Sequence, residues 1–197
     1  MAGNDVTVRL VTEVPWTDVL AVFGSRGDPA RCWCQYFKVS NAEWNTDPAE
    51  KRRSMLHDQV TRDAATPTGV IAYVDGDPVG WSAVEPRPRY SRLATTRVVA
   101  AGSDEAPDDA SVWAVTCFVV RVGLRRRGVS NALLAGAVDL ARSHGARVIE
   151  GYPVDPTATK ASSADLYHGA LSVFERAGFE VVSRPFPGRA VVRLGGT

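Results

Sequence analysis

The stretch that decides the fold runs from Ser111 to Leu134, "SVWAVTCFVVRVGLRRRGVSNALL". Its first part, 111–120, is apolar and β-favouring, the most strand-like run in the chain. "RVGLRRRG" follows, placing four arginines and two glycines before an apolar helical pattern, "VSNALLAGAVDLARSHG". Leu133, Leu134, Ala137, Val138 and Ala141 share one face of that helix, and Gly145 suits its end. A strand, a short arginine–glycine loop and a helix start make an anion site. The first N–H groups of a helix have no internal partner, and the helix dipole favours negative charge beside them. Gly128 lets an anion approach the backbone closely.

Elements of both kinds surround this stretch. "VTVRLVTEV" at 6–14 alternates as a strand, and "PWTDVLAVFGSRG" after it reads as a helix. "DPAEKRRSMLHDQVTRD" at 47–63 is a second helix, with Asp47 as N-cap and Pro48 at its first position. The aromatic-rich "PARCWCQYFKVSNAEW" lies between them. "GVIAYVDG" and "PVGWSAVE" form a hairpin pattern, after which residues 86–110 lose all periodicity. A connection this long is usually functional or mobile. Beyond the central helix come a strand, "ARVIEGYPV", a loop, "DPTATKASSAD", a last helix, "DLYHGALSVFERAG", and two closing strands, "FEVVSR" and "RAVVRL". The order βαα, ββ, βα, βα, ββ predicts a mixed α/β chain, 1–197, forming one domain around one central sheet.

The anion is a phosphate group of a kind that two familiar loops do not fit. The Gly-Lys-Ser/Thr ending of a nucleotide-binding P-loop is absent, and so is G-x-G-x-x-G. What remains is "RRRGVS", Arg-x-x-Gly-x-Ser. With its strand before and helix after, and with "FERAGFEVV" about fifty residues on, the sequence resembles the GNAT superfamily of acyl-CoA-dependent N-acyltransferases. Their pyrophosphate loop reads Gln/Arg-x-x-Gly-x-Gly/Ala, and Arg125, Gly128 and Ser130 take those positions, with serine as a mild departure at the third. The likeness is sharp over 111–183 and loose before it.

The resemblance implies a mostly antiparallel central sheet whose central strands splay, flanked by helices. It implies acetyl-CoA as cosubstrate. Phe118, Val119 and Val120 would pair with the pantetheine arm as an added strand does. Arg125, Arg126, Arg127, Gly128, Val129 and Ser130 would hold the pyrophosphate, with Asn131 adding a side-chain donor. It implies N-acetylation: a deprotonated primary amine, on a small molecule or peptide, attacks the thioester directly, and the backbone N–H of Val119 stabilises the oxyanion. The family's usual acid is a tyrosine on the last helix, but that position is Phe174 here. Phe174→Tyr should therefore be tolerated. Tyr167, seven residues earlier and two turns away on a continuous helix, is the candidate acid, with Tyr152, His168 and solvent as alternatives. Glu150, in "VIEGYP", is the candidate base, with Glu85 behind it.

Composition excludes several other functions. The net charge is +1, from 23 basic and 22 acidic side chains, so nucleic acid is not expected as a partner. No apolar run approaches a membrane span, and the start lacks signal-peptide order, so a cytoplasmic protein is expected. "CWC" is too tightly spaced for a usual zinc site, and no metal is expected. Arg87, Arg89 and Arg92 would suit an acceptor bearing a carboxylate or phosphate, while Trp33, Tyr36, Phe37, Trp44, Tyr90 and Trp113 would cage an amine or fill core. Monomer and homodimer both remain open. The alternative to an enzyme is a non-catalytic acyl-CoA-binding regulatory module.

Overall fold

A computed structural model describes residues 6–62, 66–124, 127–160, 162 and 164–195. Seven strands form one sheet in the order β1-β2-β3-β4-β5-β7-β6: β1 (Val6–Leu10), β2 (Gly69–Val74), β3 (Asp77–Pro86), β4 (Val112–Val120), β5 (Val148–Gly151), β6 (Glu180–Phe186) and β7 (Arg189–Gly195). Only the β4–β5 pair is parallel. That follows from the connection: the long helix α6 (Val129–Ser143) carries the chain from β4 back across the sheet before β5, as a parallel neighbour requires. The hairpin "DGDP" turns at Asp75 and Gly76, both at positive φ.

The two faces of the sheet bury different cores. The apolar stripe of α6, Leu133, Leu134, Ala137, Val138 and Ala141, packs with Val70, Ala72, Val115 and Phe118 on one face. On the other, α1 (Trp16–Phe23) and α4 (Ala49–Arg62) cover Ile71, Tyr73, Trp81 and Val119. The alternation of side chains along each strand makes both faces apolar in the centre of the sheet.

Four segments depart from the sequence reading. The first strand stops at Leu10 and turns through a 3₁₀ step at Val11–Glu13. The aromatic stretch between the first helices holds two short ones, α2 (Gly27–Cys32) and α3 (Asn41–Thr46), the latter started by a Ser40–Glu43 capping box. The connection after β3 is ordered by two 3₁₀ turns and α5 (Arg97–Gly102). The last helix is broken: a 3₁₀ turn at Asp165–His168 ends at Gly169, and α7 (Leu171–Arg176) begins anew. Gly169 has φ +82°, and a Cβ there would lie 2.9 Å from the rings of Phe118 and Phe174. Tyr167 and Phe174 therefore do not share a continuous helix face, because the chain bends sharply between them.

Candidate active site

β4 and β5 separate where the site begins. Their register runs from Val112↔Val148 to Val115↔Gly151 and stops there, so Thr116–Val120 extends past the end of β5. On its other side β4 stays paired with β3, but with a bulge: Ala83 faces Cys117 and Val84 faces Val115, leaving Thr116 as the extra residue. Beyond the bulge the Arg121 N–H donates to the Val79 carbonyl at 2.9 Å. Strand alternation then aims the Val119 N–H at β3 and the N–H groups of Phe118 and Val120 into the gap. The donors offered to a ligand in the gap are thus Phe118 and Val120, not Val119 as expected for the oxyanion.

Two cavities lie on the two faces of this strand. One, of about 170 Å³, is lined by Phe118, Val120, Ser130, Gly169, Ala170 and Val173, with Leu166 and Tyr167. The other, of about 540 Å³, has Cys117, Val119 and Thr116 of β4 at its base. Its aromatic walls are Phe23, Tyr36, Phe37 and Trp44. Tyr167 lines both cavities, half-buried beside the gap between them.

The start of α6 lies beside the smaller cavity, which Ser130 lines. Gly128 caps α6 in the left-handed conformation, φ +80°, ψ −5°, and its carbonyl receives the N–H groups of Asn131 (3.0 Å) and Ala132 (3.1 Å). The N–H groups of Val129 and Ser130 stand at that first turn, where a helix supplies no acceptor of its own. The Val129 side chain is core, 2% exposed, so it can serve a ligand only through its backbone. Asn131 is exposed, and its Oδ1 accepts from Arg176 Nη2 at 3.2 Å, which ties α6 to the end of α7. Arg127 is exposed, while Arg125 and Arg126 lie outside the described residues.

Glu150 lies elsewhere. It is fully buried in β5, and it lines neither cavity. Its Oε1 accepts from Arg193 Nε (2.9 Å) and Ser103 Oγ (2.8 Å), and its Oε2 from Arg87 Nη1 (3.0 Å) and Tyr152 OH (2.8 Å). Two guanidiniums pair with the group, and both of its oxygens already accept two hydrogen bonds each. The candidate base is the hub of a buried ion-pair network that pins the β3–β4 connection to β5. Tyr152 belongs to the same network, and burial with the Glu150 charge pushes its hydroxyl well above the usual tyrosine range. Glu85 is also buried; it pairs with the Lys38 ammonium and accepts from Thr68 Oγ1 at 2.8 Å.

The arginines expected to greet an anionic acceptor are engaged as well. Arg87 serves Glu150, Arg92 lies 4.4 Å over the Tyr36 ring and donates to its carbonyl, and Arg89 sits 3.9 Å from Glu85. No sequence signal marks Arg87 as internal, because its partner lies 63 residues away and meets it only through the sheet.

His168 is the residue that sequence reasoning undervalued. It is half-buried, it lines the larger cavity, and its ring lies 5.7 Å from Phe37. Burial, with the nearby Arg189 charge, pushes its imidazole down to about 4, despite a hydrogen bond to the Thr116 backbone. It is therefore neutral at pH 7. The thiols in the same wall are also neutral: burial pushes Cys32 up to about 12 and Cys34 well above the usual range. Among the described residues no cluster of His, Cys, Asp and Glu could hold a metal, and no helix is long and apolar enough to cross a membrane.

A splayed parallel pair, a bulged central strand and a glycine-capped helix facing the gap define an acyl-transfer fold. The profile of the acetyltransferase (GNAT) family matches residues 33–179, and the chain belongs to that family. No curated protein matches it. Solved structures do. A protein of Desulfovibrio desulfuricans described as a GNAT-family acetyltransferase is 17% identical over 98% of this chain and 100% of its own, with TM-score 0.54. The yncA protein of Salmonella typhimurium, solved with its cofactor acetyl-CoA, is 14% identical over 98% and 95%, with TM-score 0.57. The GNAT domain of PAT from S. lividans is 18% identical over 95% and 89%, with TM-score 0.55. At these identities the likeness establishes the fold.

Proposed function

We propose that the protein is an N-acetyltransferase that moves the acetyl group of acetyl-CoA to a primary amine by direct attack. The observation that carries this reading is the position of Tyr167 at the junction of two cavities, one beside the helix start and one walled by aromatics. The pyrophosphate would lie on the N–H groups before α6, the pantetheine arm along Phe118–Val120, and the thioester at the gap. The acceptor amine would enter from the larger cavity. The ammonium first gives one proton to water. The free nitrogen attacks the carbonyl carbon, the C–N bond forms, and the C–S bond breaks. The nitrogen's extra proton passes to water, from which Tyr167 is reprotonated after each turnover. The N–H groups that face the gap, Phe118 and Val120, stabilise the oxyanion. The departing thiolate takes the Tyr167 proton. The neutral thiols in the wall support direct attack over an acyl-cysteine intermediate, since the thiol is a poor nucleophile.

Tyr167→Phe is the test. Turnover should fall about a hundredfold, the low end for general-acid help, because a thiolate leaves well unaided. The acetyl-CoA dissociation constant should hardly change, since the hydroxyl acts in the transition state. An unaltered rate and pH profile would remove Tyr167 from the mechanism. One observation favours the second reading, a non-catalytic acyl-CoA-binding module: Phe174, at the family's tyrosine position, is core. Acetyl-CoA binding without thiol release across a broad amine screen would select it.

A further inference from the structure

The larger cavity says what the acceptor carries besides its amine. Its volume, about 540 Å³, is that of a small-molecule site. Three of its aromatics form a continuous edge-to-face wall: the Tyr36 ring lies 4.9 Å from Phe37 and 5.0 Å from Trp44. Cys32, Cys34 and Cys117 add small, weakly polar surface, and burial keeps the Cys32 and Cys34 thiols protonated. The charges that line it are arranged against an anion. Arg52 is buried and committed, with Nε on the Arg31 carbonyl (2.7 Å), Nη1 on the Asp47 carbonyl (2.7 Å), and its face 4.6 Å from the Trp44 ring. Arg31 is paired with Asp28 at 2.5 Å. His168 is uncharged. Two carboxylates, Asp28 and Asp165, line the same cavity, and hydrogen bonds from Ser162 hold Asp165 below the usual carboxylate range.

We infer that the acceptor is a primary amine on an apolar, ring-sized body that carries no carboxylate or phosphate. This rests on the acetyltransferase reading above. The body would stack in the Tyr36–Phe37–Trp44 wall, as aromatic faces favour both apolar rings and ammonium groups. The amine would be drawn in as an ammonium past Asp165 and presented at the β4 gap. An acceptor carboxylate would lose its water among thiols and rings without gaining a free guanidinium, and such an unpaired charge is costly to bury.

The test has two arms on the full chain. Acetyl-CoA binding is measured by calorimetry, independently of any acceptor. Thiol release is then followed with benzylamine, phenethylamine and hexylamine, against glutamate, spermidine and a lysine-ended peptide. The expected result is a kcat/KM about tenfold or more higher for the apolar amines. Tyr36→Ala should raise their KM about tenfold while acetyl-CoA affinity and the melting temperature hold, which separates lost stacking from lost folding. Faster release with glutamate, spermidine or the peptide would overturn the inference and leave the acetyltransferase reading standing. Bound acetyl-CoA with thiol release from none of the six acceptors would select the binding-module reading and overturn the inference with it. Failure to bind acetyl-CoA at all would bring down the acetyltransferase reading, and the inference with it.

Discussion

A hydroxyl added at Phe174 would have to be buried. The ring is wholly inaccessible, edge-on to Phe118 at 5.8 Å and to Phe179 at 5.1 Å, and it closes over Gly151, where a Cβ would lie 2.2 Å from it. The likeness to a family tyrosine suggested that Phe174→Tyr would be tolerated; the packing reverses that. An unpaired buried hydroxyl costs about 1–3 kcal/mol. Thermal unfolding should show a melting temperature lower by several degrees, with no gain in turnover. Unchanged stability with faster turnover would return position 174 to the chemistry. The motif "FERAGF" was legible in the sequence, but which of its side chains faces the cleft was not. The break at Gly169 decides that, by turning Tyr167 toward the gap and Phe174 into the core.

The element that most exposes the function to test is the start of α6. Its cap residue, Gly128, holds φ +80°, and a Cβ there would meet nothing within 4 Å. Space is therefore not the issue, and two substitutions separate charge from strain. Asparagine tolerates left-handed φ better than most residues and is uncharged, whereas aspartate sets a carboxylate beside the N–H groups of Val129 and Ser130. Calorimetry should show that Gly128→Asn weakens acetyl-CoA binding by less than about tenfold and Gly128→Asp by about a hundredfold or more. Equal losses would show that strain, not the anion site, governs this turn. The helix itself was plain from its 3.6-residue stripe and its glycine at either end, because those signals are local. The two short helices among the aromatics were not, since neither is long enough to show a period.

Across the whole molecule, one carboxylate fastens the long β3–β4 connection to the sheet. Arg87 enters from the start of that connection, Ser103 from its middle and Arg193 from β7, and all three meet on Glu150. Arg87 continues to the Glu105 carbonyl at 2.8 Å. Removing the carboxylate while leaving two arginines in place strands buried charge, which costs about 3–5 kcal/mol. Glu150→Ala should lower the melting temperature by about 10 °C, measured by circular dichroism. Its pH–rate profile at a permissive temperature should match that of the unaltered protein, because Glu150 faces neither cavity. A lost acidic limb in that profile, where a base must shed its proton to work, would make Glu150 the base after all.

The sequence by itself determined the mixed α/β class, the order of its strands and long helices, and the glycine-led turn at the head of α6. Each of those rests on periodicity or on residues adjacent in the chain, and such signals survive in one dimension. Only the tertiary structure decided which polar groups are machinery and which are mortar. Glu150, Arg87 and Tyr152 carry the same chemistry as active-site residues, and their burial on each other depends on strands that pair across the sheet. His168 gained its neutral imidazole from burial beside the Arg189 charge, and Tyr167 its place between two cavities from the turn that ends at Gly169. Desolvation and charge pairing set what a side chain can do, and both are properties of the packed molecule, not of the residue type.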